Sequence, residues 1–250
     1  MNRGPIANSL LAALPRKDYS RLRSRLEQVE LDFGEVLYEP GETIRHIYFP
    51  SDSIVSLLTL VDHHKALEVG LVGREGMVGI PLALGIDVSP VRALVQGGGT
   101  AMRMESSAFR RAFSHSAHLQ RELRRYTHVL MAQITQTAAC NRFHVVEARL
   151  ARWLLMTRDR VQSGQFRLTQ EFLAHMLGVR RVGVTKAAGA LQRRKLIRYS
   201  RGTIHILDHA GLEAAACSCY EIVKDARAFM SGLRDGRTAG RAPTSTARKK

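Results

Sequence analysis

The chain has 250 residues, enough for one or two domains with cores of their own, and its 45% apolar and 24% charged composition is ordinary for a globular protein. The net charge of +16 is not ordinary, and it is unevenly placed: residues 1–140 hold 16 basic against 14 acidic side chains, residues 141–250 hold 22 against 8. No stretch approaches the roughly 20 consecutive apolar residues of a membrane helix, which leaves no membrane span, and a near-neutral front half joined to a basic back half implies that only the back half meets a polyanion.

The segment up to about Val29 reads as helical, with Leu10, Leu11 and Leu14 on one face of a short helix and Leu22 and Leu26 four apart. Asn8 and Ser9 interrupt its apolar run, so it makes a poor signal peptide. From there to about Met104 the texture changes to short β-branched and aromatic runs: Glu35–Tyr38, Ile44–Phe49, Ile54–Val61, Leu67–Val72, Ala93–Gln96 and Thr100–Met104. Turn residues separate them, among them Pro40-Gly41, Asp62-His63-His64 and Gly97-Gly98-Gly99. Closely spaced short strands with no helical crossover predict an antiparallel sandwich or barrel. His63-His64, in a hairpin turn, reads as exposed rather than as a metal site.

Helical period returns at Ser106. Leu119, Leu123, Tyr126, Leu130, Ile134 and Ala138 recur at three- and four-residue spacing, an apolar stripe too long for one small barrel edge, and we assign it, from Leu119 to Ile134, to a dimer contact. A helix packed on its own sheet is the competing reading. Val145 to Met156 forms a further amphipathic helix, and residues 231–250, rich in Gly, Ser, Thr, Arg and Lys, read as a disordered basic tail.

Residues 168–207 carry the functional argument. Leu168 to Val179 predicts a helix capped by Thr169 and stopped at Gly178, followed by a second helix from about Arg180 to Arg194. With Gln170 as position one, small Ala174 falls at five, Gly178 at nine and β-branched Val184 at fifteen, while Leu173, Leu177, Val179 and Ala187 fill the apolar positions. Two helices crossing at about 90–120° need a small residue where they touch and glycine at the bend, so the pattern predicts a helix-turn-helix. Arg180, Arg181, Thr185 and Lys186 lie toward the start of the second helix, where base edges would be read, with Thr169 and Gln170 at the start of the first and Arg193 and Arg194 beyond. Leu196–Tyr199 and Thr203–Leu207 flank a Ser-Arg-Gly turn as a wing, with Arg198 and Arg201 placed to grip phosphates. Residues 169–201 hold eight basic side chains and one acid, Glu171.

The stretches LYEPGE (37–42), GREGMVGI (73–80) and LTQEFLAHMLGVRRVGVTKAAGALQRRKLI (168–197), in this order around a long helix, resemble the Crp/Fnr superfamily of bacterial transcription regulators over about residues 8–210. The resemblance implies an α+β chain: an antiparallel β-roll or jelly-roll sensor like the cyclic-nucleotide-binding domain (1–114), a dimerisation helix (115–140), a winged helix-turn-helix (141–230) and the tail (231–250). It places the family's base-contacting arginine on Arg181 and its second basic contact on Lys186. Val182 stands where members often carry glutamate, and Arg180 where they often carry serine. Gly76, Gly79, Ile80 and Arg92 fall at the effector pocket. Cyclic-nucleotide binders carry Gly-Glu for the ribose, whereas Gly79 is followed here by Ile80-Pro81, and Arg92 is followed by alanine. A pocket without that carboxylate loses roughly 1–3 kcal/mol at the ribose hydroxyl, which argues against cyclic AMP.

Three cysteines, Cys140, Cys217 and Cys219, cannot all pair within the chain, which argues against a disulfide framework and for a cytoplasmic protein. Placed late, they do not fit the four-cysteine iron–sulfur site of oxygen-sensing relatives, and Cys217 and Cys219 read as structural. No nucleophile–base arrangement, metal-ligand spacing or phosphate-binding glycine motif stands out, so the expectation is a non-enzyme without metal or cofactor. Double-stranded DNA, a second copy of the chain, RNA polymerase and an unidentified small-molecule effector are the expected partners. The alternative is a sensor that binds RNA or anionic surfaces non-specifically through its basic half.

Overall fold

The computed structural model describes residues 6–61, 65–161 and 164–230; His63-His64 and the 231–250 tail lie outside them. Two short helices, α1 (Ser9–Ala12) and α2 (Arg16–Arg23), open the chain. Asn8 caps α1 by accepting from the backbone N–H groups of Leu10 and Leu11, and its amide donates to the carbonyls of Pro50 and Gly76 at 2.9 Å each. Leu10, Leu11 and Leu14 are buried as their spacing predicted. Helix does not run to Val29: it ends at Arg23, and strand β1 (Glu27–Leu31) follows, with only Leu31 fully buried.

The remaining sensor strands are β2 (Val36–Tyr38), β3 (His46–Pro50), β4 (Ile54–Val61), β5 (Lys65–Val72), β6 (Arg92–Gly97) and β7 (Gly99–Glu105). They form two antiparallel sheets, ordered β1-β7-β3 and β2-β6-β4-β5. The chain passes back and forth between the sheets, which closes a roll rather than an open layer. Gly97–Gly99 is the turn between β6 and β7; Gly99 has φ +151°, and a Cβ there would strike Asp52. Phe49, Ile47, Val55, Val72 and Val95 fill the space between the sheets.

Helix α3 (Ser106–His115) leads into α4 (Ala117–Phe143). The stripe assigned to a dimer contact turns inward. Leu119, Leu123, Tyr126 and Leu130 are buried in the sensor's own core and Ile134 packs on it, so they are occupied within the chain. Tyr126 presses on Gly76 so closely that no side chain fits there. The face α4 leaves open carries Arg124, His128, Met131, Thr135, Ala138 and Arg142, alternately four and three apart, so Ala138 lies here and not on the buried stripe where its spacing from Ile134 had put it.

Helix α5 (Val146–Val161) begins the second half, followed by β8 (Gln165–Arg167), α6 (Gln170–Leu177), α7 (Arg181–Arg193), β9 (Ile197–Ser200), β10 (Thr203–Ile206), α8 (His209–Ala215) and α9 (Cys219–Met230). Its core gathers Leu150, Leu154, Leu173, Leu177, Val184, Leu191, Ile204 and Leu212, and continues into Ile54, Leu58 and Leu71 of the sensor. A buried ion pair ties the halves together: Arg160 Nε of α5 lies 2.7 Å from Glu75 Oε1, and Arg160 also donates to Gln133 Oε1 and the Leu71 carbonyl. Burial pushes the Glu75 carboxyl up, but Arg160, Arg227 and backbone N–H donors outweigh it and hold its pKa below the ordinary value. Among the described residues no helix is long and apolar enough to cross a membrane.

Candidate nucleic-acid interface

Thr169 caps α6 as its position predicted, its hydroxyl accepting from the Phe172 N–H at 3.1 Å. The helix stops at Gly178, whose φ of 59° and ψ of 41° are left-handed, and a Cβ at this bend would press on Leu67 of β5. Carbonyls in the last turn of a helix lack partners within it, and the Arg149 guanidinium supplies one to Leu177. Leu173, Ala174, Leu177, Val184 and Ala187 are buried together, and Val179 packs against them. The positions that predicted a helix-turn-helix core therefore are one.

That core fixes what α7 presents. Arg180 is its N-cap residue, with no side-chain bond to the helix, which is the consequence of arginine standing where a hydroxyl would cap. Arg181, Thr185 and Lys186 are exposed on the outer side of α7. The Thr185 hydroxyl has two acceptors in reach, Gln170 Oε1 at 2.8 Å and the Arg181 carbonyl at 3.1 Å, so Thr185 and Gln170 join the two helices across the turn. Val182, also exposed, lies beside them as an apolar tip.

The wing is larger than the sequence pattern predicts. A third strand, β8, pairs with β10, giving the order β8-β10-β9. Ser200 pairs with Thr203 around Arg201-Gly202, both at positive φ (49° and 74°), the geometry of a two-residue hairpin turn. This turn projects Arg201 outward, with Arg198 exposed on β9. Tyr199 anchors the wing, its hydroxyl donating to the Leu168 carbonyl at 2.8 Å; burial pushes its phenol pKa up against the lowering effect of nearby Arg181.

All eight basic side chains between 169 and 201 are exposed. Arg194 is tied to Glu147 at 2.9 Å, so its contribution is at least partly to hold α7 against α5. The other seven have no carboxylate within ion-pairing distance among the described residues. The excess charge of the back half is nevertheless not all on this face, because Arg149, Arg152 and Arg160 are buried.

The sensor residues assigned to an effector pocket do not enclose one. Gly76 is covered by Tyr126, Gly79 is left-handed and packed on Ile47, and Ile80 is buried. Arg92 is held by Glu39 through two contacts of 2.9 Å, Nε to Oε2 and Nη2 to Oε1. A cleft of about 430 Å³ opens beside them, lined by Tyr38, Glu42, Arg45, His46 and Tyr48 among others. Spacing along the chain had also offered no metal site, yet the fold gathers Cys140, His144, Cys217 and Cys219, with ligand atoms all within 4.8 Å of one another. Their donors come from the end of α4 and the start of α9, with Cys140 and Cys217 77 residues apart, a separation that local spacing does not expose.

Residues 148–215 match the Crp-like helix-turn-helix domain. Solved structures share the fold over about three quarters of the chain. FixK2 from Bradyrhizobium japonicum is 14% identical, with 77% of this chain and 98% of that one covered at a TM-score of 0.66. A Crp/Fnr-family transcriptional regulator from Thermus thermophilus is 23% identical over 76% and 98%, at 0.63. The c-di-GMP-responsive global regulator CLP of Xanthomonas campestris is 16% identical over 77% and 99%, at 0.59. No curated protein matches the chain.

Proposed function

Given a Crp-like helix-turn-helix domain at residues 148–215 of a chain with the fold of the Crp/Fnr transcription regulators, we propose that this protein is a sequence-specific transcription regulator that binds double-stranded DNA as a homodimer. The observation that carries the reading is the unpaired basic surface of α7 and the wing, held on a rigid core. Arg181 and Lys186 enter the major groove on α7, where an arginine fork can bond guanine O6 and N7 together. Arg198 and Arg201 on the wing, with Arg193, meet phosphates and set register without reading sequence.

The partner protomer packs on the open face of α4, around Met131, Thr135 and Ala138, since the opposite stripe is occupied within the chain. Met131 is 62% exposed, and Phe143 and Val145 stand open just beyond, an apolar surface that a second copy would cover.

Cyclic AMP is not the effector in this reading. Ile80 offers no carboxylate to a ribose, Tyr126 closes the space at Gly76, and Arg92 would have to leave Glu39 to reach a phosphate. Another small molecule and RNA polymerase remain the further partners of the proposal. Selection of bound sequences from random duplex DNA tests the reading: a near-palindromic site with half-sites about one helical turn, roughly 10 bp, apart is expected. Recovery of unrelated sequences, or equal retention of RNA and anionic vesicles, would instead make the basic half a non-specific surface.

A further inference from the structure

We propose that Cys140, His144, Cys217 and Cys219 form a tetrahedral binding site for a thiophilic divalent cation of the zinc type. Cys140 and His144 sit one turn apart at the C-terminal end of α4, and Cys217 and Cys219 flank the start of α9. Packing of α9 against α4 brings the two pairs together. Cys140 Sγ lies 3.4 Å from Cys217 Sγ, and Cys219 Sγ lies 3.4 Å from His144 Nδ1. In a tetrahedral zinc site with bonds of about 2.3 Å to sulfur and about 2.0 Å to nitrogen, donors stand roughly 3.3–3.8 Å apart. With the widest separation here inside 4.8 Å, the cage needs little closing.

Two further observations point to an occupant. Cys140 and Cys219 are fully buried and Cys217 nearly so, which collects three soft donors away from solvent beside the half-buried His144 imidazole. Gln136 Nε2 lies 3.1 Å from Cys219 Sγ, an N–H···S contact of the kind that orients a metal-bound thiolate. Charge is the second observation. Three thiolates, a neutral imidazole and a divalent cation carry one net negative charge. Beside them stand Arg149 and Arg152, both buried, both acting electrostatically within this cluster, and neither ion-paired to a carboxylate among the described residues. Their contacts are neutral acceptors: Asn141 and the Leu177 carbonyl for Arg149, Thr137 for Arg152. A buried guanidinium without a counter-charge is costly, and the filled site supplies one.

Loading the site releases the three thiol protons to solvent and leaves the cation bonded to three sulfurs and one nitrogen. It would clamp the end of the sensor's long helix, α4, to α9. Through Arg149, the same cluster reaches the C-terminal carbonyl of α6. A Cys140–Cys217 disulfide is the competing chemistry, but it would leave His144, Cys219 and the two arginines without a role.

The test uses the full-length chain, free of any tag, reduced and loaded with Zn(II), then gel-filtered in metal-free buffer. Elemental analysis should find one zinc per chain, and Co(II) in its place should give the strong visible absorption and thiolate-to-cobalt charge transfer of a tetrahedral sulfur site. Cys140→Ser and Cys219→Ser should each weaken Co(II) binding at least tenfold, while His115→Ala, an exposed histidine on α3, should leave it unchanged. Substoichiometric metal in the wild-type protein with all three thiols freely titratable would overturn the proposal. So would thiols lost to a disulfide with no metal taken up from reduced protein. Both readouts come from the wild-type chain, so a variant that fails to fold does not decide the matter.

Discussion

Ser56 has one hydroxyl proton and faces two acceptors, Glu68 Oε2 at 2.7 Å and Gln96 Oε1 at 2.5 Å. A neutral Glu68 resolves this, donating its own proton to Ser56 so that Ser56 can donate to Gln96. Burial pushes the Glu68 pKa up to about 7 against the lowering influence of its contacts with Ser56 and Trp153, which favours the neutral carboxyl near and below that pH. Because the folded pKa is raised above the ordinary 4.5, the stability Glu68 contributes is full below that value and is lost as pH rises through about 7. Glu68→Gln keeps a neutral hydrogen-bonding group, so its stability should lose less than wild type between these values. Denaturant melts across that window check this, and parallel wild-type and variant curves would contradict it. At the DNA surface, Arg181→Ala should cost on the order of 1–3 kcal/mol at the cognate base pair and relax specificity there. Arg201→Ala should weaken all sequences alike and lower the salt slope by about one. Equal losses on specific and random DNA for both variants, measured by titration at fixed salt, would reduce α7 to a charged surface.

The elements differ in how openly the sequence announced them. β4 and β5 are long, largely apolar runs bounded by turn residues, and the α6–α7 pair carries seven residues at constrained positions, so both were legible. Strand β1 was not: its alternation of Val29 and Leu31 with Gln28 and Glu30 is too short to stand out beside the preceding helix, and pairing with β7 from Glu27 opposite Arg103 to Leu31 opposite Gly99 makes it a strand. β8 is three residues long and exists through its bonds to β10. The stripe on α4 was visible in full, but period alone says that a face is buried and not against what. The cysteine–histidine cluster was invisible because it depends on α9 lying against α4. Two predictions belong to this scale. Met131→Glu and Ala138→Glu should weaken self-association, read by sedimentation, without lowering the melting temperature much; unchanged association would move the dimer contact elsewhere. Arg160→Met removes the close partner of buried Glu75, leaving Arg227 at 4.0 Å, and should destabilise the chain by about 3–5 kcal/mol in denaturant titrations.

Across the whole molecule, the helix-turn-helix is docked on the sensor rather than tethered to it. Leu67 meets the bend at Gly178, the Phe33 and Phe172 rings meet at a tilt with centroids 5.5 Å apart, and Ile54, Leu58 and Leu71 share the core of the second half. An effector in the sensor can alter DNA affinity only by binding the docked and rearranged states unequally, and this shared core is where such a difference would be expressed. Cyclic AMP should produce none: calorimetric titration should show no saturable binding at micromolar concentrations, and a tenfold gain in DNA affinity, about 1.4 kcal/mol of coupling, would show that the pocket has been misread. The central claim is that α7 reads bases. It is tested most directly by titrating the protein, at one near-physiological salt concentration, against its selected site and against a scrambled duplex of equal length and composition. If α7 reads bases, the selected site binds at least about 10³-fold tighter. Equal affinities for the two duplexes, falling together as salt is raised, would contradict it.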